Sequence, residues 1–177
     1  FYQPYIGLLG TEVGFDQQTA LAAGVHMALA TFVAAWVARR SARVDARLGT
    51  RRTLLLAAFI QLSIVAVMGA VLHSAVVAIA LLRGVPGGLA RAPLNAAVTP
   101  RIPRHERATY LSIQSLVGRL SFSGLLFGLS RAAGPAPVED WAVLSSLLML
   151  GGIVGGIGWI VLAVARVDLR RSETESR

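Results

Sequence analysis

Two arginines and one histidine stand inside long apolar stretches of this chain, where an ionisable side chain is costly. Arg83 lies roughly 12 Å from one end of the stretch 75–98, and Arg119 lies roughly 16 Å from the start of the stretch 108–131. His26 lies about a third of the way into an earlier apolar stretch. Because a charged side chain facing lipid costs several kcal/mol, we expect these residues to face a bundle interior or a wet cavity. An arginine there can bind an anionic group or pair with a carboxylate, and a histidine can relay protons.

Polar and small residues recur beside both arginines at helical spacing. Arg83, Gly87, Arg91 and Asn95 follow one another every four residues, which predicts a slowly rotating stripe along one helix. Pro86 is expected to kink that helix, and Arg91 is near enough to its end to snorkel. The stretch 108–131 has a polar face of its own, formed by Ser112, Ser115, Arg119 and Ser123.

Each of these residues also has a structural interpretation. Arg83 would then form an internal ion pair or snorkel, Arg119 would hydrogen-bond carbonyls of a neighbouring helix, and His26 would be a packing residue. None of the nine carboxylates lies at membrane depth, so proton coupling would fall to His26 or to groups outside this chain. The sequence has no Cys, no metal-ligand cluster, no P-loop and no Ser-His-Asp set. We therefore predict no enzyme, no cofactor and no metal; an intramembrane enzyme using His26 and a serine is a rival hypothesis.

The elements that must position these residues are membrane helices. Of the 177 residues 55% are hydrophobic and only 15% are charged, whereas a soluble domain has about 25% charged residues. The apolar stretches approach the ~20 residues that cross a hydrocarbon core. We predict an all-α, polytopic membrane protein with a six-helix bundle over 1–165 and a polar, disordered, cytoplasmic tail over 166–177. The predicted helices are 1–10 (the end of a helix whose start is missing), 18–38, 53–72, 75–98, 108–131 and 141–165.

Charge in the connecting loops predicts an orientation. The loops on one side carry Arg39, Arg40, Arg43, Arg47, Arg51, Arg52, Arg101, Arg104, Arg107 and the arginines of the tail. The loops on the other side carry Arg131 alone among basic residues. Because arginine is retained on the cytoplasmic side, we expect an inner (plasma) membrane protein of bacterial type with a cytoplasmic C-terminus. Because the arginines collect in these loops, the net charge of +8 is not taken as a sign of a nucleic-acid partner, and the expected partner is the lipid bilayer.

Glycines in the last helix indicate close packing. Gly151 with Gly155, and Gly152 with Gly156, make two overlapping GxxxG pairs that let a second helix approach. Gly84 and Gly88 have the same spacing in the stretch 75–98.

Three stretches resemble the major facilitator superfamily of transporters, and one of them is the opening F-Y-Q-P-Y (1–5), which is similar to the end of helix seven in such proteins. The loop A-R-V-D-A-R-L-G-T-R-R (42–52) is similar to the family signature G-x-L-x-D-R-x-G-R-R between the second and third helices of each six-helix half. Arg47, Gly49, Arg51 and Arg52 fit it, while Asp45 stands one residue before the signature's aspartate. The third stretch resembles the R-A-T-x-L-S-x-x-S-L-x-x-R-L run of bacterial drug- and metabolite-type facilitators, and its matching residues are Arg107, Ala108, Thr109, Leu111, Ser112, Ser115, Leu116, Arg119 and Leu120.

The resemblance implies the C-terminal half of a secondary carrier that works by alternating access on a small-molecule substrate. Its other partner would be the missing N-terminal half of the same chain. The helices 1–10, 18–38, 75–98 and 108–131 would line the cavity, with 53–72 and 141–165 outside. The expected substrate-binding residues are Arg83, Arg119, His26, Asn95, Gln3 and Tyr5.

The basic loop has two interpretations. In the family this loop helps to hold one access state, which implies a gating role for Asp45, Arg47, Gly49, Arg51 and Arg52. The alternative is an anchor, with Gly49 in a tight turn and the arginines bound to lipid headgroups and helix C-terminal carbonyls. For the whole chain, the alternative function is a six-helix scaffold or assembly protein without transport.

Overall fold

All regular secondary structure in the described part of the chain is helical. A computed structural model describes Tyr5, 19–134 and 140–164. Its α-helices are α1 (Thr19–Leu48), α2 (Thr50–Ala70), α3 (Ser74–Ala80), α4 (Val85–Val98), α5 (Arg107–Ala133) and α6 (Trp141–Val164). A 3₁₀ turn, Leu81–Gly84, joins α3 to α4, and two more, Thr99–Arg101 and Arg104–Glu106, join α4 to α5. The predicted all-α class is therefore confirmed over these residues. The helices form five continuous rods, because α3, the turn Leu81–Gly84 and α4 follow one another without a break and make up the third rod. The predicted helix 1–10 lies outside the described residues apart from Tyr5.

The first rod is longer than the apolar pattern predicted. We expected a helix over 18–38 followed by a basic loop, whereas α1 continues to Leu48 and α2 begins at Thr50. Hydropathy delimits only the part of a helix that lies in lipid, and the run 39–48 contains arginine and alanine with no Gly or Pro to end it. The turn is confined to Gly49, whose φ of 79° and ψ of 153° lie in a region that essentially only glycine adopts.

The third rod is irregular beside Arg83 because of Pro86. A proline has no N–H, so the carbonyl of Leu82, four residues earlier, loses its α-helical partner. The Val85 N–H bonds that carbonyl instead, which tightens the chain into the 3₁₀ turn. The irregularity that Pro86 predicted thus takes the form of a 3₁₀ turn that contains Arg83.

The helices α2 and α6 pack along their length. The Trp159 Nε1 donates to the Leu55 carbonyl at 3.0 Å near one end, and the Ser145 hydroxyl donates to the Gly69 carbonyl at 2.5 Å near the other. A Cβ built on Gly155 would lie only 2.8 Å from a methyl group of Leu62.

The glycines of α6 that face α2 are three residues apart. A Cβ on Gly152 would contact Val65 at 3.8 Å, and Gly155 meets Leu62, while Gly151 and Gly156 have open space. The expected close packing of this helix is therefore present, but neither GxxxG pair forms it as a pair. A period of 3.6 residues puts positions three apart on one face as readily as positions four apart.

A small buried core lies at one end of the bundle. The turn at Gly49 between α1 and α2, called the basic turn because Arg47, Arg51 and Arg52 flank it, lies at the other end. Tyr5 is only 1% exposed; its hydroxyl donates to the Val71 carbonyl at 2.6 Å and accepts from the His73 N–H at 3.1 Å. Its ring meets Trp141 edge-on at 6.1 Å between centroids. These contacts join the turn between α2 and α3 to the start of α6.

Many large apolar side chains are exposed on the described helices. Three helices are long and apolar enough to cross a membrane, namely Thr50–Ala70, Ala75–Arg101 and Trp141–Val164. On α6, Ile153 is 62% exposed and Val164 is 74% exposed. Large apolar side chains turned outward on such helices are typical of a lipid-facing surface, which agrees with a membrane protein.

Candidate functional site

An open cleft of about 460 Å³ lies between α1 and α4. Its ten lining residues are Thr31, Ala34, Ala35, Ala38, Arg83, Gly84, Gly87, Gly88, Arg91 and Ala92. Eight of the ten are neutral and small, and the other two are arginines; none carries a carboxylate. The volume is within the range of small-molecule sites, roughly 300–1,000 Å³.

The small residues bring the two helices close together at the base of the cleft. A Cβ built on Gly84 would lie 2.7 Å from the Ala34 Cβ, and one on Gly88 would lie 2.7 Å from the Ala34 carbonyl oxygen. Gly87 differs, because a Cβ there would meet nothing within 4 Å. Gly84 and Gly88 therefore form the helix contact, as their spacing predicted, and Gly87 borders the open space.

Arg83 lies at the end of the cleft next to the 3₁₀ turn. Its side chain is half-buried, and Nη2 lies 2.8 Å from the Met27 sulfur of α1. His26, which is 6% exposed, hydrogen-bonds the backbone of Ala80 and is close enough to Arg83 for the two side chains to interact electrostatically. The structure thus brings together two predicted site residues, His26 and Arg83, at the junction of α1 with the 3₁₀ turn.

Arg91 lines the same cleft from the other end. It is exposed, and it follows Arg83 by eight residues, which corresponds to about 12 Å along a helix. The sequence placed Arg91 near enough to the helix end to snorkel, and its place among the lining residues makes it the second cation of the cleft. An arginine near a helix end can both reach towards an interface and border a cavity, and spacing alone does not separate the two.

Arg119 lies on another groove. The Ser112, Ser115 and Arg119 face of α5, with Leu111 and Leu116, borders an open groove of about 400 Å³. Three of the four residues of the predicted polar face line this groove, and Ser123 does not. Within the described residues α5 packs on α6 and on the 3₁₀ turn before it, and nearly all of its residues are exposed. The structure does not bring Arg119 into the cleft with Arg83.

The remaining predicted substrate residues lie elsewhere. Asn95 is exposed on α4, one turn beyond Arg91, and is not among the lining residues. Tyr5 is buried in the core at the end of the bundle, where its hydroxyl hydrogen-bonds the backbone of Val71 and His73. Gln3 lies outside the described residues.

The basic turn between α1 and α2 contacts α6. Arg51 donates through Nη2 to the carbonyl of Ala163, in the last turn of α6, where a cation is favourable to the helix dipole. This is the anchoring contact to helix carbonyls that the sequence predicted for the loop. Asp45 lies one turn before Gly49, and among the described residues its buried Oδ1 has no hydrogen-bond partner. Arg47, in the last turn of α1, and Arg52 are both exposed.

The α1 wall of the cleft was missed at the level of sequence. Its members Thr31, Ala34, Ala35 and Ala38 have no titratable group, so they attracted no chemical interpretation. The signal was nevertheless available, because Ala30, Ala34 and Ala38 recur every four residues and match the glycine spacing of α4.

Within the described ranges, no three His, Asp or Glu side chains come together as potential metal ligands. Comparison of the chain with protein-family models, with characterised proteins and with solved structures finds no match. What the cleft binds therefore has to follow from its own residues.

Proposed function

We propose that this chain is half of a secondary transporter and that the cleft between α1 and α4 is part of its substrate site. The observation that carries the proposal is a charged side chain, Arg83, held within an apolar helix beside a cleft of small-molecule size. A cation within an apolar membrane helix is costly, and in membrane proteins such residues mark substrate or ion pathways.

The arrangement of helices supports this function. The resemblance to facilitators assigns 1–10, 18–38, 75–98 and 108–131 to the cavity wall and 53–72 and 141–165 to the outside. In the structure α1 and α4 border the cleft and α2 packs on α6, whereas α5 does not line the cleft and packs on α6. The support for the proposal therefore comes from α1 and α4. Substrate sites of such carriers lie near the midplane, between halves that rock against each other.

The local backbone also suits a substrate site. Pro86 and the 3₁₀ turn interrupt the third rod next to Arg83. Such a proline is tolerated in a membrane helix because the 3₁₀ adjustment bonds the freed Leu82 carbonyl to the Val85 N–H. In several transporter folds the substrate site lies at a helix interruption, which is more complete than this turn.

Transport is tested in proteoliposomes that contain the complete protein. The vesicles are incubated with a mixture of metabolites, and their contents are measured by mass spectrometry against protein-free vesicles. The test variant is Gly87→Leu, because its side chain projects into open space and fills the cleft without a backbone clash. The control is Gly158→Leu, an equal change at an exposed position of α6 that also has open space.

We expect at least one solute to accumulate with the unmodified protein and with Gly158→Leu, but not with Gly87→Leu. If the unmodified protein moves no solute, transport is refuted and the scaffold alternative is left. Equal accumulation with Gly87→Leu would refute the cleft as the substrate site.

A further inference from the structure

The charge of the cleft restricts its ligand. Arg83 and Arg91 both line it, and none of its ten described lining residues carries a negative charge. A cationic ligand would meet like charge, whereas an anionic ligand would compensate the arginines. The chemistry therefore favours an anion.

The spacing of the two arginines restricts its shape. They lie eight residues apart on one rod, about 12 Å along the axis, and both side chains are long and flexible. Between them the floor consists of Gly84, Gly87 and Gly88, which have no polar side chain. A ligand that spans the cleft therefore has an acidic group at each end and an apolar middle.

The head groups suit carboxylate or phosphate oxygens. A guanidinium presents five N–H donors in a planar fork that matches such groups in a bidentate manner. The Met27 sulfur beside Arg83 is a weak acceptor, so an anionic oxygen is the stronger partner for this side chain. The contact with Met27 holds the guanidinium on the α1 side of the cleft.

We infer that the cleft takes an elongated, water-soluble organic dianion, with one acidic group on Arg83 and the other on Arg91. This inference rests on the proposed function in one respect, since it takes the cleft for the substrate site. It adds the second arginine, Arg91, to that site and names the class of substrate.

The test measures protection of the arginines from a dicarbonyl reagent. The complete protein, in nanodiscs of phosphatidylcholine alone, is treated with phenylglyoxal, and the rate of modification of each arginine is read by peptide mass spectrometry. The probes are adipate, the neutral diamide of the same length (adipamide), and hexanoate with a single carboxylate. All samples are brought to the same ionic strength with sodium chloride, because salt alone screens surface charge. Arg104, exposed on the 3₁₀ turn before α5, is the internal control.

We expect adipate to protect Arg83 and Arg91 together, with a rate about tenfold lower at ten times its Kd, and to leave Arg104 unchanged. Hexanoate should protect one of the two arginines, and adipamide neither. In the Gly87→Leu protein adipate should protect neither, because the added side chain fills the space between them.

Three results would overturn the inference. One is equal protection by adipate and adipamide, and another is protection of Arg104 along with the cleft arginines. The third is protection of Arg83 and Arg91 by nanodiscs containing phosphatidylglycerol without adipate, which would make a lipid headgroup the occupant. The assay needs no transport, so protection without solute movement would refute the carrier and keep the dianion site. Transport of a neutral or cationic solute, with no protection of Arg83 and Arg91 by adipate, would refute the dianion site and keep the carrier.

Discussion

Adding one methyl group at Gly88 tests whether α1 and α4 cross as closely as the structure shows. A Cβ at this position would lie 2.7 Å from the Ala34 carbonyl oxygen and 3.3 Å from the Ala38 nitrogen. Both are backbone atoms, so no side-chain rotation relieves the contact and the helices have to separate. Overpacking of this kind costs about 1–3 kcal/mol.

The matched control is the adjacent residue. Gly87 lies in the same helix, and an added Cβ there meets nothing within 4 Å. Alanine is favoured over glycine inside a helix by about 1 kcal/mol, and both substitutions gain this equally. The difference in the free energy of unfolding between Gly88→Ala and Gly87→Ala therefore isolates the clash, at about 1–3 kcal/mol.

The free energy of unfolding is measured on the complete protein by titration with SDS in mixed micelles, followed by tryptophan fluorescence. We expect Gly88→Ala to unfold at a lower fraction of SDS than Gly87→Ala. Equal midpoints for the two variants would refute the close crossing of α1 and α4.

A double substitution identifies the atom responsible for the contact. A Cβ on Gly84 would lie 2.7 Å from the Cβ of Ala34 and 3.1 Å from the Ala30 carbonyl oxygen, so Ala34→Gly removes the shorter contact and leaves the other. The same change leaves the Ala34 carbonyl, and with it the clash of Gly88→Ala, in place. We expect Ala34→Gly to rescue Gly84→Ala in part, with a coupling energy of about 0.5–3 kcal/mol, and to leave Gly88→Ala unrescued. Rescue of both variants would mean that the crossing is loose enough to adjust.

The same unfolding assay tests three further contacts. Arg51→Ala removes the hydrogen bond to the end of α6 and should cost about 1 kcal/mol, whereas Arg52→Ala, at the next exposed position, should cost less; equal losses would contradict the capping contact. Tyr5→Phe removes a hydroxyl that bonds two backbone groups and should cost about 1–3 kcal/mol, and an unchanged midpoint would refute its structural role. Gly49→Ala places a Cβ where φ is 79° and should cost about 1–3 kcal/mol, so a more stable variant would refute the one-residue turn.

The helices themselves were predictable from sequence. A lipid environment requires each spanning segment to satisfy its own backbone hydrogen bonds, so a long apolar stretch can only be a helix. The bounds of α2, α5 and α6 lie within three residues of the predicted ones. Among the described residues, however, three helices are long and apolar enough to cross a membrane, and the predicted spans 18–38 and 108–131 are not among them. The end of α1 did not follow the pattern, because a helix continues into water for as long as its residues favour it, here until Gly49.

Part of the site was predictable for the same reason. An arginine inside an apolar helix is costly wherever it stands, so Arg83 was identified without knowledge of its surroundings. The same reasoning singled out Arg119, and it had no means of separating the two. Only the packing of α1 on α4 placed Arg83 at a cleft and left Arg119 on the flank of another helix.

The amino-acid sequence by itself determined the helical class, three apolar spans and the position of the costly charges. These properties depend on single residues and their near neighbours in the chain. Tertiary structure alone decided that Tyr5 belongs to the core, that Gly152 and Gly155 face α2, and that Arg91 shares a cleft with Arg83. The physical reason is that these outcomes depend on which helix faces are brought together, and the register between two helices is set by packing contacts that are distant in sequence.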